Sequence, residues 1–241
     1  MMTTRALDGN SATRLPPILF SRGIICVPRR AFNSDIPVLL IGYSDQENPR
    51  MTNPLFQRNQ SFLAVIDVQQ FFLDKLALAD RAPLAARIAW LIRVATSLDI
   101  PVLAMAEDIG PNGPPAPQIA AALPQGAHVH DKRVFGLAHQ PDILAAAKAF
   151  NRSQAVLVGL ETDVCVAHSA LGLLEHGFRV AAIGDATGSP GNHHAAGLAR
   201  MKEAGVTITT TKGIFYEWVR DLDTLATLRA LRKDLPPGLT L

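Results

Sequence analysis

Cysteine is scarce in this chain. Two thiols in 241 residues, Cys26 and Cys165, cannot make a disulfide framework, which excludes the small stapled scaffolds and points to a reducing, cytoplasmic setting. Neither sign of charge is in excess. Lys and Arg number 23 against 21 Asp and Glu, a formal net charge of +2 without a basic stripe, so nucleic acid is not an expected partner. No apolar run is long enough to span a membrane. Aromatic residues make up only 6% of the chain, so any that fall beside a motif stand out. Hydrophobic residues, by contrast, reach 48%, enough for the core of one large α/β domain.

The first fifty residues differ from the rest. They carry Arg5, Arg14, Arg22, Arg29 and Arg30 and a Pro16-Pro17 pair, with no useful helical period. A transit peptide is one reading, weakened by Asp8 and Asp35. A poorly ordered extension, or a start properly placed at Met51, is the other. Residues 1–60 are therefore set apart from a domain at 61–241, and removal of Met1 to Arg50 is expected to leave stability and activity nearly unchanged.

From residue 61 apolar runs alternate with helical periods. Strands are expected at 62–66, 102–106, 127–130, 155–158, 179–183 and 206–210. Helices are expected at 83–98, 118–122, 141–150, 164–176, 193–204 and 222–232, with a loop at 110–117. Strands apolar along their whole length are buried on both faces. The fold class is thus α/β: a doubly wound, Rossmann-like, mostly parallel sheet of about six strands flanked by helices. Ligands of such sheets sit beyond the carboxyl ends of the strands. Asp67 ends the first strand, Lys132 follows the third, and Cys165 opens the helix after the fourth.

At the first turn of a helix, unpaired N–H groups and the dipole favour a thiolate. A lysine nearby lowers the thiol further. An aspartate can take its proton and hand it to a leaving amine, and the turn from Gly159 to Cys165 can aim N–H groups at an oxyanion. Such a set suits hydrolysis of a small amide through a thioester. Each residue also has a plain role: core thiol, helix cap, solvated amine.

The motifs Val65-Ile-Asp67-Val-Gln69-Gln-Phe-Phe72, Asp131-Lys132-Arg-Val-Phe135 and Gly159-Leu-Glu161-Thr162-Asp-Val-Cys165-Val166 resemble those of the isochorismatase-like cysteine hydrolases, the superfamily of nicotinamidases and N-carbamoylsarcosine amidases. The resemblance covers roughly residues 62 to 220 and implies the isochorismatase-like hydrolase fold. It implies Asp67 as acid/base, Lys132 as cationic partner and Cys165 as nucleophile. It also implies a cis peptide at Leu160–Glu161 and an oxyanion hole from the N–H groups of Glu161 and Cys165. Nicotinamidases hold a metal through an Asp-x-His motif after the second strand. Here Met105-Ala-Glu107-Asp108 stands there without a histidine, resembling the metal-free branch, so no catalytic metal and no cofactor are expected. His128 with His130, and His193 with His194, are assigned surface or capping roles.

Phe72 and Phe135 are candidates to line the substrate pocket, with core packing as the alternative for each. His168, three residues beyond Cys165, can form a Cys–His dyad only if it faces the thiol, and its place deeper in the helix argues against that. Trp90 and Trp218 are assigned to packing or an interface. The resemblance implies a homo-oligomer, and the aromatics of Phe215-Tyr-Glu-Trp218-Val supply an independent hint of a contact surface. Two other classes compete with a hydrolase of amide-like small molecules. A thiol redox protein lacks a resolving cysteine, and a nucleotide-binding module lacks the Gly-x-Gly-x-x-Gly turn after the first strand.

Overall fold

A computed structural model describes residues 53–241; the expectations for residues 1–50, Cys26 included, lie outside the described residues. Six strands form one sheet: β1 Ser61–Ile66, β2 Val102–Glu107, β3 Val129–Lys132, β4 Gln154–Leu160, β5 Arg179–Gly188 and β6 Thr207–Thr209. All neighbours run parallel in the order β3-β2-β1-β4-β5-β6, so the chain reverses its winding between β1 and β4. Among the described residues no helix is long and apolar enough to cross a membrane.

The helices are α1 Gln70–Leu73, α2 Leu78–Ser97, α3 Ile109–Asn112, α4 Pro117–Ala120, α5 Pro141–Ala149, α6 Ala167–Glu175, α7 His193–Glu203, α8 Thr211–Val219, α9 Leu222–Thr227 and α10 Arg229–Lys233. Every residue of β1 and β4 is buried. Successive side chains alternate between two cores, as a period of two requires. Leu63, Val65, Val156 and Val158 join α2 and α8, while Phe62, Ala64, Ile66 and Leu157 join α5 and α6.

Several boundaries differ from the sequence reading. Strand β3 begins two residues later and runs through Lys132, which therefore stands on the sheet rather than after it. Helix α2 starts five residues before Pro83, since Arg81 holds the preceding turn through Leu76 O and Asp74. The stretch 110–117 is not all loop: α3 makes one turn there, ending at Asn112. The last helix breaks at Leu228 into α9 and α10.

The domain also begins before residue 61. Phe56 is fully buried, its N–H bonds Glu217, and the Arg179 guanidinium lies 4.2 Å above its ring. Burying one phenylalanine contributes about 2 kcal/mol, ample to fix a short segment. The aromatics of α8 likewise belong to the interior. Phe215 and Trp218 are fully buried, Trp218 donates to Ser61 Oγ at 3.2 Å, and Phe215 packs against Trp90. They therefore offer no contact surface; only Tyr216 is exposed.

Gly159 allows β4 to pass close beneath the end of β1. It adopts φ +129°, and a Cβ there would lie 1.9 Å from the Ile66 carbonyl oxygen. No side chain fits. Gly159→Ala is expected to push Asp67 out of line, with a clear fall in both melting temperature and activity; an unchanged melt would show that the strands can separate freely.

Candidate active site

Strand register brings the polar groups together. Glu107 and Lys132 are direct partners across β2 and β3, and Ile66 pairs with both Met105 and Gly159. Asp67 therefore leaves the sheet between Glu107 on one side and the turn carrying Cys165 on the other. It does so at φ +50°, a conformation aspartate tolerates, with its N–H on Met105 O and its carbonyl accepting from Gln69. Parallel strands lie about 4.8 Å apart, so groups on four adjacent strand ends fall within one small space.

Lys132 is the hub. Its Nζ is 3.0 Å from Asp67 Oδ2, 3.2 Å from Glu107 Oε2 and 3.7 Å from Cys165 Sγ, and donates to Val134 O at 2.7 Å. Lys132 and Asp67 are fully buried; the Glu107 side chain keeps 20% exposure. Cys165, 3% exposed, donates its thiol hydrogen to Glu107 Oε2 at 3.1 Å. Despite the short ammonium contact, neither Asp67 oxygen accepts a well-aligned hydrogen bond among the described residues.

The turn from Thr162 to Val166 is wider than an α-turn, with Val164 and Val166 both donating to Glu161 O. A π-turn of this kind often marks a functional site. Helix α7 backs it at close range, since a Cβ on Gly197 would meet the Asp163 backbone at 2.8 Å. Thr162 Oγ1 contacts His194 Nδ1 at 2.8 Å, and Ser189 Oγ donates to Asp163 at 2.7 Å. The Leu160–Glu161 peptide is cis. The Glu161 side chain points elsewhere, pairing with Lys75 at 3.0 Å.

Burial dominates the electrostatics. It pushes the Asp67 carboxyl up to about 7 against the opposing pull of Lys132. It also pushes the Cys165 thiol up, with the Asp67 and Glu107 charges adding to the rise and Lys132 only partly offsetting it. The expected lowering of this thiol by lysine and helix terminus is thus corrected: burial and the neighbouring carboxylates push it up instead. Burial alone would lower the Lys132 ammonium, but Asp67, the sulfur and Glu107 together hold it raised and charged.

The remaining candidates divide. Phe135 is 57% exposed and lines a recess of about 120 Å³ with Glu107, Asp108, Lys132, Arg133 and Val134. Phe72 is buried in the core beneath Lys75 and does not line this recess. Among the described residues His168 makes no hydrogen bond to the thiol; it stands edge-on to Phe135. His130 faces Asp142 at 3.4 Å with its side chain only 11% exposed, against the surface role expected for it, while His193 lies 3.8 Å from Asp163 at the surface. A larger hollow of about 570 Å³, bounded by Arg58, Ser97, Asp99 and Arg152, lies at the opposite, amino end of the strands.

Two residues were not assigned to the site from the sequence. Glu107 ends β2 as Asp67 ends β1, and that strand-end position was the available signal. Gln69 is fully buried and clamps Glu107 from both sides: Oε1 accepts its N–H at 2.8 Å and Nε2 donates to its carbonyl at 2.9 Å. Asp67, Glu107 and Cys165 are also the one group among the described residues whose ligand atoms lie close enough, within 4.8 Å, to share a metal ion. The Lys132 ammonium already sits among those atoms and supplies the positive charge.

The isochorismatase domain model matches residues 61–213. The probable hydrolase YcaC of Escherichia coli (strain K12) is 28% identical over 187 residues, 74% of this chain and 89% of its own. Isochorismatase domain-containing protein 2A of Mus musculus is 30% identical over 164 residues, 67% of this chain and 76% of its own. Among solved structures, E. coli YcaC, an octameric hydrolase of unknown specificity, superposes with a TM-score of 0.70 at 25% identity, covering 77% of this chain and 93% of that one. YcaC from Pseudomonas aeruginosa, solved with hexane-2,5-diol and covalent acrylamide, gives 0.70 at 25% identity over 78% and 94%.

Proposed function

Since the chain belongs to the isochorismatase family and is a hydrolase of that family, we propose that it cleaves a C–N bond of a small amide or related compound through a thioester on Cys165. The observation that carries this reading is the convergence of thiol, ammonium and two carboxylates beyond the strand ends at the reversal of the sheet. Cys165 attacks the carbonyl carbon. Lys132 holds the negative charge that builds on sulfur and carboxylates, and Asp67, poised near neutral pH, carries protons as acid/base. The N–H groups of Glu161 and Cys165 are the proposed oxyanion donors, as members of a turn whose amides lack ordinary helical partners.

P. aeruginosa YcaC holds acrylamide covalently, and because acrylamide is captured by conjugate addition to its alkene carbon, this supports a reactive nucleophile in a relative of this chain. The small recess, with Phe135 at its rim, suits a compact planar acyl group rather than a polymer. A redox role fits less well, since among the described residues no second cysteine stands by to resolve an oxidised Cys165. The test is ammonia or amine release over a panel of small amides, ureides and carbamoyl compounds. Release from one of them is expected; silence across the panel would remove the C–N specificity.

Assembly into a homo-oligomer is proposed on the strength of the octameric E. coli relative. Sedimentation at micromolar concentration is expected to give a dimer or larger species, and a lone 25.9 kDa species would end the claim.

A further inference from the structure

The site contains two carboxylates in unlike positions, and a single acid/base residue leaves one of them without a task. We propose that Glu107 takes the thiol proton of Cys165, while Asp67 is the acid that protonates the leaving amine; this rests on the cysteine-hydrolase reading above. Three observations carry it. Cys165 Sγ lies 3.1 Å from Glu107 Oε2, in hydrogen-bond geometry. Glu107 is fixed at both backbone groups by Gln69 and braced at its carbonyl by Asn112 Nδ2 at 3.1 Å. Asp67 is fully buried, with both oxygens lacking an aligned partner, whereas Glu107 opens onto the recess.

Burial keeps Asp67 substantially protonated up to about pH 7, the state an acid needs. The cycle then balances. As sulfur bonds the carbonyl carbon, the S–H proton moves to Glu107 and the C=O electron pair goes to oxygen. Collapse of the intermediate breaks the C–N bond, and the departing nitrogen takes the Asp67 proton. Water next gives a proton to the ionised Asp67 and its oxygen to the thioester carbon. The C–S bond breaks with its electron pair on sulfur, and Glu107 returns the thiol proton. Amide and water become acid and amine, and both carboxylates end as they began.

The charged groups facing Cys165 are Asp67 from β1, Glu107 from β2 and Lys132 from β3. On its own turn and helix, Asp163 is engaged by Ser189 and His168 stands against Phe135. As a bystander anion, Glu107 only raises the thiol, so its removal would make Cys165 more reactive. As the base, its removal makes Cys165 less reactive. The sign of the change decides.

The experiment is the rate of Cys165 alkylation by acrylamide, followed by the mass of the Cys165 peptide so that Cys26 is not counted, in wild type, Glu107→Gln and Glu107→Asp. At pH 7.5 (about neutral, where a general base contributes about 10²-fold or more) the glutamine variant should label about 100-fold slower. The aspartate variant should recover part of the rate. The gap should narrow towards pH 10 (roughly, as hydroxide replaces the missing base), which a merely misfolded site would not do. Labelling of Glu107→Gln as fast as wild type or faster overturns the assignment while the hydrolase reading stands. A wild type that acrylamide never labels, and that turns over no amide of the panel, overturns both.

Discussion

Cys165→Ala is expected to lose turnover by on the order of 10⁴-fold or more while its melting temperature stays within a few degrees of wild type. The two halves of this result have separate causes. The sulfur is 3% exposed and lies between Glu107 and Lys132, so every bond-making step proposed above passes through it. Its removal leaves only a small void, about 1 kcal/mol by the usual scaling of cavities, and no opposite charge loses its partner. Ammonia release and a circular-dichroism melt on the same sample read both halves. Retained turnover in a well-folded variant would end the covalent mechanism.

Lys132→Met should show the reverse balance, with loss of activity joined to a large loss of stability. The ammonium is fully buried between Asp67 at 3.0 Å and Glu107 at 3.2 Å, and without it two carboxylates face each other in a dry site. Breaking a buried pair costs about 3–5 kcal/mol, which in a domain of this size is a drop of roughly 10 °C. The loss depends on pH with a definite sign. Burial already raises Asp67 to about 7 in the presence of Lys132, whose attraction lowers it, so in the variant it rises further. A carboxyl raised above its unfolded pKa of about 3.9 stabilises the fold fully below that value and loses the contribution as pH climbs through the folded one. Wild-type Asp67 loses the same contribution up to its own folded value of about 7, so the variant's deficit is expected to stay level from about pH 4 to about neutrality and to widen above it, where only the variant's carboxyl is still titrating. A deficit that stays level above neutrality as well would show that packing, not charge, holds the site.

What was legible in the sequence was whatever a strand or a turn carries by itself. Apolar runs such as Phe62 to Ile66 and Ala155 to Val158 mark strands buried on both faces, and the sheet has them at its centre. Asp67 and Cys165 were placed at strand ends by the residues around them, and the structure brings both to Lys132. Glu107 was harder to see, because its neighbourhood follows from β2 and β3 lying side by side in register, a tertiary fact. The rise of the thiol's pKa is hidden from the sequence for a related reason: the two carboxylates beside it and the loss of water come from packing. The aromatics of α8 carry no sign in their spacing of which way they face, and packing against Trp90 and Ser61 turned the large ones inward.

The four reacting side chains stand at the ends of β3, β2, β1 and β4, contiguous members of one sheet, rather than on flaps that open by themselves. Strands β1, β2 and β4 are paired on both sides, so their amides are expected to exchange through global opening, while the edge strand β3 is tied to them by the fully buried Lys132. Misalignment of the chemistry is therefore expected to need the same cooperative event that melts the domain. Denaturant titrations of catalysis and of ellipticity should share one midpoint, and below that midpoint no folded but idle population accumulates.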